Sequence, residues 1–467
     1  MTATVAERAA ERALADVEPS LERLAEYLRF PAISCDPAHA GDVAALAARI
    51  AADLDRLGLH NVRVLQLPGA LPAVAAEWLG AGPDKPTVLI YGHMDLQPVK
   101  GETWRTPPHE ATRIGDRLYA RGSADDMGGW VSHLVAIRAW FDETGALPVN
   151  VRLLIEGEEE IGSPNLERYM DTYPEAFAAD VMVLTDCENP AVDVPGITVS
   201  LRGLLEATLT VKALEADAHS GLWGGMVPDV CTALMALVAR LVDADGRLIR
   251  PRNSVPDSWR EGARHVPLND ESIRRGAHLL EGVAPLPERG CPAAEHMWWQ
   301  PAVTVVATTL PGLDRKKNAL RAEASAILSI RVAPGQTDEE LKTVFREVLL
   351  ADPPGGCAVS LSISDQESGA WIYQPSGPAF EAVDRAYTRA WGRPPLRVGV
   401  GGSIPFVAMF GKRFSSLPLI LNGVIDPETT AHGPNESLHV GVYTRTVLAN
   451  VHLYGELADT PGLTRSN

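Results

Sequence analysis

The sequence predicts an α/β protein with a small α+β insert, and three observations carry that expectation. Short, largely apolar runs, TVLIY (87–91), VRLLI (151–155) and VMVLT (181–185), alternate with helix-like segments. Such runs suit strands buried on both faces of a sheet. After about residue 200 the pattern turns to strict alternation: Leu205, Ala207, Leu209 and Val211 alternate with Glu206, Thr208, Thr210 and Lys212. That period of two belongs to a sheet with one covered face. From about 377 the helix-like FEAVDRAYTRAWG and the apolar run SLPLILNGV resemble the first part again.

Taken in order, the first 60 residues read as two helices. Leu21, Leu24 and Leu28 stand at helical spacing, and GDVAALAARIAADLDRLG ends at Gly58, a C-terminal glycine stop. The three apolar strands follow. Beyond 200, the alternating strand leads into the helix-like DVCTALMALVARLVDA (229–244), and a second alternating strand, EASAILSIRV, covers 323–332. Two strand–helix units of this kind make the α+β insert. Between them, the proline- and charge-rich stretch 245–300 is expected to be irregular.

Length and composition narrow the function. A chain of 467 residues exceeds what one hydrophobic core usually serves. A net charge of −18 argues against nucleic-acid and anionic-membrane partners, which need a basic face. The five cysteines include no CxxC pair, so neither a disulfide framework nor a cysteine zinc site is expected. The charged, alanine-rich start lacks the apolar core of a secretory signal, and no run is long enough to span a membrane. A cytoplasmic location is the resulting expectation.

The chemistry lies where the strands end. TVLIY runs into His93 and Asp95, VRLLI into EGEEE (156–160), and VMVLT into Asp186, while the glycine-rich loop RGSADDMGG carries Asp125 and Asp126. Singly, each has an ordinary explanation. An HxD after a strand is a weak signal, an acidic run suits a solvated loop or helix start, and an aspartate pair among glycines suits a turn. Together they point to the crevice at the carboxyl ends of an α/β sheet. So many carboxylates converging without cations would repel one another. One divalent ion, or two sharing a bridging carboxylate, would relieve that. Neighbouring glutamates could then divide the labour, one on metal and one taking a proton from water. Asp95 could hold the second ring nitrogen of His93.

GHMDLQP, RGSADDMGG, EGEEEIGS, the VLTD before Cys187, DAHSGLWGG, SIRVAP, GGSIP and TAHGPNES occur in that order. The series, from about 20 to 455, resembles the M20 metallopeptidases, and within them the carnosinase-like, cytosolic non-specific dipeptidase branch. The resemblance implies a di-metal aminopeptidase-like catalytic domain with a central mixed sheet, over 1–202 and 376–467. A ferredoxin-like lid and dimerisation domain, 203–375, would interrupt it. It further implies two divalent ions, zinc first, with manganese or cobalt as alternatives. His93 and Asp186 would bind one, Glu160 and His432 the other, and Asp125 would bridge. Glu159 would be the general base, Asp95 the partner of His93, and the Asp125–Asp126 peptide would be cis. His219 would act in the partner subunit of a homodimer, stabilising the oxyanion.

Arg331 has a reading of its own. It shares a strand face with Ile327 and Ser329, opposite Ala326, Leu328, Ile330 and Val332, and a guanidinium there suits a substrate carboxylate, although an ordinary surface arginine fits the pattern as well. Gly402 and Ser403 of GGSIP would offer backbone N–H groups to the same anion.

The sequence also departs from the family. Val400 stands where the dipeptidase branch has a glutamate for the substrate's free amine, Met127 replaces a lysine, and Arg321 a proline. The expected activity is metal-dependent hydrolysis of dipeptides or similar short amides with a free C-terminal carboxylate. The alternatives are an N-acyl-amino-acid or other amide hydrolase, favoured by Val400, and a catalytically silent peptide-binding homologue.

Overall fold

The computed structural model describes residues 3–249, 252–287, 290–402, 405–414 and 417–464. Helix α1 (Val5–Leu28) opens on a capping box in which Thr4 and Glu7 each accept the other's main-chain N–H, satisfying two orphan amides. It buries Leu21, Leu24 and Leu28. Helix α2 (Ala40–Leu57) stops at Gly58, whose φ of 95° is a left-handed conformation that glycine adopts without a Cβ clash.

The main sheet begins with β1 (His60–Leu65), β2 (Ala73–Trp78) and β3 (Thr87–His93). After α3 (Met127–Thr144) come β4 (Asn150–Glu156), β5 (Val181–Leu184) and β6 (Gly196–Leu201). Strands β4, β3 and β5 are neighbours in that order and run parallel; β1 and β2 add antiparallel beyond β4. Val88, Leu89 and Ile90 of β3 are fully buried, as are Leu153 and Leu154 of β4 and Val181 and Val183 of β5. Each such side chain contributes about 1.5–3 kcal/mol of burial. Trp130 of α3 is also fully buried, and its indole N–H donates to the His93 carbonyl at 2.9 Å. Helix α3 therefore anchors the end of β3.

The chain then passes into β7 (Gly203–Lys212), α4 (Val230–Ala239), β8 (Ala302–Thr308), β9 (Glu323–Val332), α5 (Asp338–Leu350) and β10 (Ala358–Ile363). These four strands form an antiparallel sheet in the order β8-β9-β7-β10. With helices after the first and third strands, this is the split βαβ, ferredoxin-like arrangement. Leu205, Ala207, Leu209 and Val211 pack with Ala324, Ala326, Leu328 and Ile330 in one apolar cluster, to which α4 adds Leu234 and Leu237 and α5 adds Leu341 and Phe345.

The stretch 245–300 is not irregular throughout: its described residues hold three short helices, Asp257–Arg264, Asp270–Gly276 and Ala293–Trp299. Pro256, Asn269 and Pro292 occupy their N-cap positions. At about two turns each, such helices lack an apolar repeat that periodicity can detect. Trp298 and Trp299 are buried, as packing residues.

The return brings α6 (Pro378–Trp391), β11 (Leu419–Leu421) and α7 (Val440–Ala458). Strand β11 lies between β5, to which it is parallel, and β6, to which it is antiparallel. The chain forms two compact units. One comprises the residues up to Val199, Gln374–Val398 and those from Phe410 onward; the other comprises Ser200–Tyr373 together with Gly399–Met409. Among the described residues, no helix is long and apolar enough to cross a membrane.

Candidate metal centre

Strand β3 is flanked by the later strands β4 and β5, one on each side, so the winding direction changes at its carboxyl end and opens a crevice there. His93 is the last residue of β3, the 3₁₀ turn Glu159–Ile161 follows β4, and Asp186 lies just past β5. Asp125 sits in the loop before α3, joined to Asp126 by a cis peptide.

Two overlapping ligand groups result. His93, Asp125 and Asp186 form one, and Asp125, Glu160 and His432 the other; within each, the candidate atoms lie within 4.8 Å of one another. The two oxygens of Asp125 are divided between them: Oδ1 is 3.2 Å from His93 Nε2 and Oδ2 is 3.1 Å from His432 Nε2. His432 Nε2 is also 3.1 Å from Glu160 Oε2. Asp186 Oδ2 and Glu159 Oε2 each stand 3.9 Å from His93 Nε2. Glu159 belongs to neither group.

Around these, a shell of fixed bonds sets each position. His93 Nδ1 lies 3.1 Å from the main-chain oxygen of Asp95 and 3.5 Å from its carboxylate. The Asp95 carboxylate is engaged by the N–H groups of Glu159 and Glu160, at 3.1 and 3.0 Å. It thus braces the glutamate turn as well as the histidine. Gln97 donates to Glu160 Oε2 at 2.7 Å. Buried Asp126 accepts from the His93 N–H at 3.2 Å and from the Thr185 hydroxyl at 2.7 Å. A Cβ on Gly92 would lie 2.5 Å from that Asp126 carboxylate, so only glycine fits before His93. His432 itself has a left-handed backbone, φ of 61°, as do Thr430 and Asn435. Three such non-glycine residues in one loop are costly and are typical of a functional turn.

Gln97 and Glu436 have no role in the sequence reading, and Asp126 enters it only as the second carboxylate of its loop. Gln97 and Glu436 lie inside motifs already read, GHMDLQP and TAHGPNES, and Asp126 inside RGSADDMGG. The available signal was a polar residue flanking a candidate ligand in a segment otherwise buried.

The electrostatics describe a cluster short of positive charge. Burial, then its neighbours Glu160, Asp95 and Asp125, push the Glu159 carboxyl well above its usual range, with His93 opposing. Burial and the Asp125 charge do the same to Asp186. Burial works against the Asp125 carboxylate too, yet hydrogen bonds from His432 and His93 hold it below the usual range. Bonds to Asp125 and Glu160 raise the His432 imidazole to about 11. Two imidazoles and three carboxylates in this arrangement fit a pair of divalent ions: oxygen and nitrogen donors at ligand spacing, one carboxylate shared, and surplus negative charge to neutralise.

The remaining candidates lie in the inserted unit. His219 is exposed, and its Nδ1 accepts the Gly221 N–H at 3.0 Å. Arg331 is half-buried in β9, on the face opposite the apolar cluster. Arg202, not anticipated, donates through Nε to the Gly401 carbonyl at 2.8 Å and through Nη1 to that of Gln300 at 3.2 Å. It thereby fixes the backbone just before Gly402. Ser403 lies outside the described residues.

The description of peptidase family M20/M25/M40 matches residues 89–456. The chain is 32% identical over 425 residues to the cysteinylglycine-S-conjugate dipeptidase of Corynebacterium striatum, covering 90% of this chain and 91% of that protein. It is 27% identical over 450 residues to the Cys-Gly metallodipeptidase dug1 of Schizosaccharomyces pombe, covering 91% and 92%. In fold it is similar to the crystal structure of human carnosine dipeptidase 1, with a TM-score of 0.80 at 24% identity over 98% of this chain and 100% of that one. Matched over most of its length, the chain belongs to peptidase family M20/M25/M40 and is a metallopeptidase of that family.

Proposed function

We propose that the protein is a two-metal dipeptidase acting on dipeptides, or similar short amides, with a free C-terminal carboxylate. The observation that carries this reading is the pair of ligand groups sharing Asp125, with Glu159 beside them and in neither. The metallo-dipeptidases among its relatives support the same substrate class. His93 and Asp186 would hold one ion, Glu160 and His432 the other, and Asp125 both. Imidazole and carboxylate donors suit zinc first, with manganese and cobalt also acceptable. Bound there, the ions supply Lewis acidity and lower the pKa of water.

The chain's own residues do the rest. Glu159 takes a proton from the attacking water and returns it to the leaving nitrogen. Asp95 keeps the Glu159 turn and the His93 ring in register, and Gln97 orients Glu160. His219, supplied by the partner of a homodimer, donates to the developing oxyanion. In the inserted unit, acting as lid and dimerisation domain, Arg331 and the Gly402 N–H bind the substrate carboxylate.

The test is a hydrolysis panel on protein stripped of metal and reloaded with zinc, manganese or cobalt, using Cys-Gly, β-Ala-His and N-acetyl amino acids, each with and without chelator. Chelator-sensitive cleavage of free dipeptides is expected. Cleavage of the N-acetyl substrates alone would replace this reading by the N-acyl-amino-acid hydrolase and make Val400 the specificity determinant. Tight peptide binding without turnover of any substrate would favour the silent homologue.

A further inference from the structure

Glu436 is fully buried and lies four residues beyond His432. The chemistry proposed above gives it no part, yet its carboxylate gathers four donors. Oε2 accepts from the Gly122 N–H at 2.9 Å and from Arg121 Nη1 at 3.0 Å. Oε1 accepts from the N–H groups of Ala124 and Asp125 at 3.1 and 3.2 Å. Three main-chain amides of the loop that carries Asp125 therefore converge on one side chain from the loop that carries His432. Only a carboxylate accepts at both ends. Glutamine would turn an NH₂ group towards donors at one end, and aspartate is one carbon short.

We propose that Glu436 is the positioning residue of the metal centre: by gripping the main chain of 122–125 it sets where the Asp125 carboxylate stands between His93 and His432. The proposal rests on the two-metal reading and has a specific consequence. Because Asp125 belongs to both ligand groups, loosening the Glu436 grip weakens both ions, not only the one that would be held by its loop neighbour His432. A carboxylate that merely stabilised the fold would lower the melting temperature and leave metal affinity unchanged.

The experiment is a zinc titration against a chromophoric chelator, without substrate, on wild type, Glu436→Gln, Glu436→Asp and Arg121→Met. Native folding is checked by circular dichroism. Wild type should bind two equivalents; fewer than two would sink the two-metal reading rather than this one. In Glu436→Gln both dissociation constants should rise about 10–100-fold, the usual scale for removing a partner that orients a ligand, with Glu436→Asp between. Arg121→Met leaves the three N–H bonds in place, so both constants should stay within about threefold of wild type even if stability drops. Unchanged affinity in a folded Glu436→Gln, or weakening at one site alone, overturns the proposal. Should neither Glu436 variant fold, hydrogen exchange on the wild-type holoprotein decides. The Gly122, Ala124 and Asp125 amides should be as slow as those of β3, and exchange at the rate of an open loop would overturn the assignment.

Discussion

His93 and His219 represent the two units of this chain and are held in opposite ways. His93 is fully buried, with its main-chain N–H on Asp126, Nδ1 on the Asp95 carbonyl and Nε2 facing Asp125. His219 is exposed, and its ring bonds to an amide two residues further on. Burying an imidazole among carboxylates is expensive unless every group is paired, so the neighbourhood of His93 is determined by its own unit. Among the described residues nothing comparable constrains His219, and the role proposed for it calls on a partner subunit. The sheet unit should therefore bind metal by itself, whereas the inserted unit should influence turnover and leave the metals alone.

The most direct way to break this contrast is Asp125→Ala. It removes the carboxylate common to both ligand groups, so both ions should be lost and hydrolysis should fall by about 10⁴-fold or more, roughly 5.5 kcal/mol. Metal analysis after gel filtration, alongside kcat/KM, checks it; retention of two ions would mean that Asp125 is not shared. Glu159→Gln comes next. With Glu159 outside both groups, the ions should stay while kcat falls by about 10²–10⁴-fold, and unchanged kcat would remove it from the mechanism.

His219→Ala tests the other unit. Turnover should drop by about 10²–10³-fold, as when an oxyanion donor is removed, while metal content and melting temperature hold because the side chain is exposed. Mixing this variant with Asp125→Ala and allowing exchange should restore activity, since a heterodimer rebuilds one complete site. No recovery in proven heterodimers would place His219 outside its partner's chemistry.

These contrasts also explain how much could be read from sequence. Leu205 to Val211 and Ala324 to Val332 announce their strands because half-buried sheets impose a period of two. Val88, Leu89 and Ile90 announce theirs because a strand buried on both faces excludes polar residues until it ends. His93 and Asp186 stand out for the same reason: each comes within two residues of an uncharged apolar run, TVLIY and VMVLT. The supporting shell is less visible. Asp95 reads as a partner of His93, yet its carboxylate bonds to the amides of Glu159 and Glu160, pairings across 64 and 65 residues that no local pattern encodes. Glu436 reaches the Asp125 loop across more than 300 residues in the same way. The helices within 245–300 are too short for periodicity to register, and only their proline and asparagine caps are local signals.

The smallest predicted effect concerns a third histidine, as deeply buried as His93 but remote from carboxylates. His133 in α3 has Nδ1 at 2.8 Å from the Tyr454 hydroxyl of α7, and burial pushes its imidazole down to about 3. His93 moves the other way: burial opposes its proton, but the bonds to Asp125 and Asp95 overcome that and raise it. In the unfolded chain His133 should titrate near ~6.5. Above that pH it is neutral in both states and contributes no pH dependence. Between about 6.5 and 3 the unfolded chain takes up a proton that the folded protein refuses, so stability falls as the pH falls. By pH 5.5 the loss is about 1.4 kcal/mol. His133→Gln keeps a hydrogen-bonding partner for Tyr454 and cannot titrate. In urea denaturation of metal-free protein, wild type should therefore lose about 1.4 kcal/mol more than the variant between pH 8 and pH 5.5. Equal losses would mean that His133 protonates inside the fold, and that burial without a carboxylate partner does not suffice to keep an imidazole neutral here.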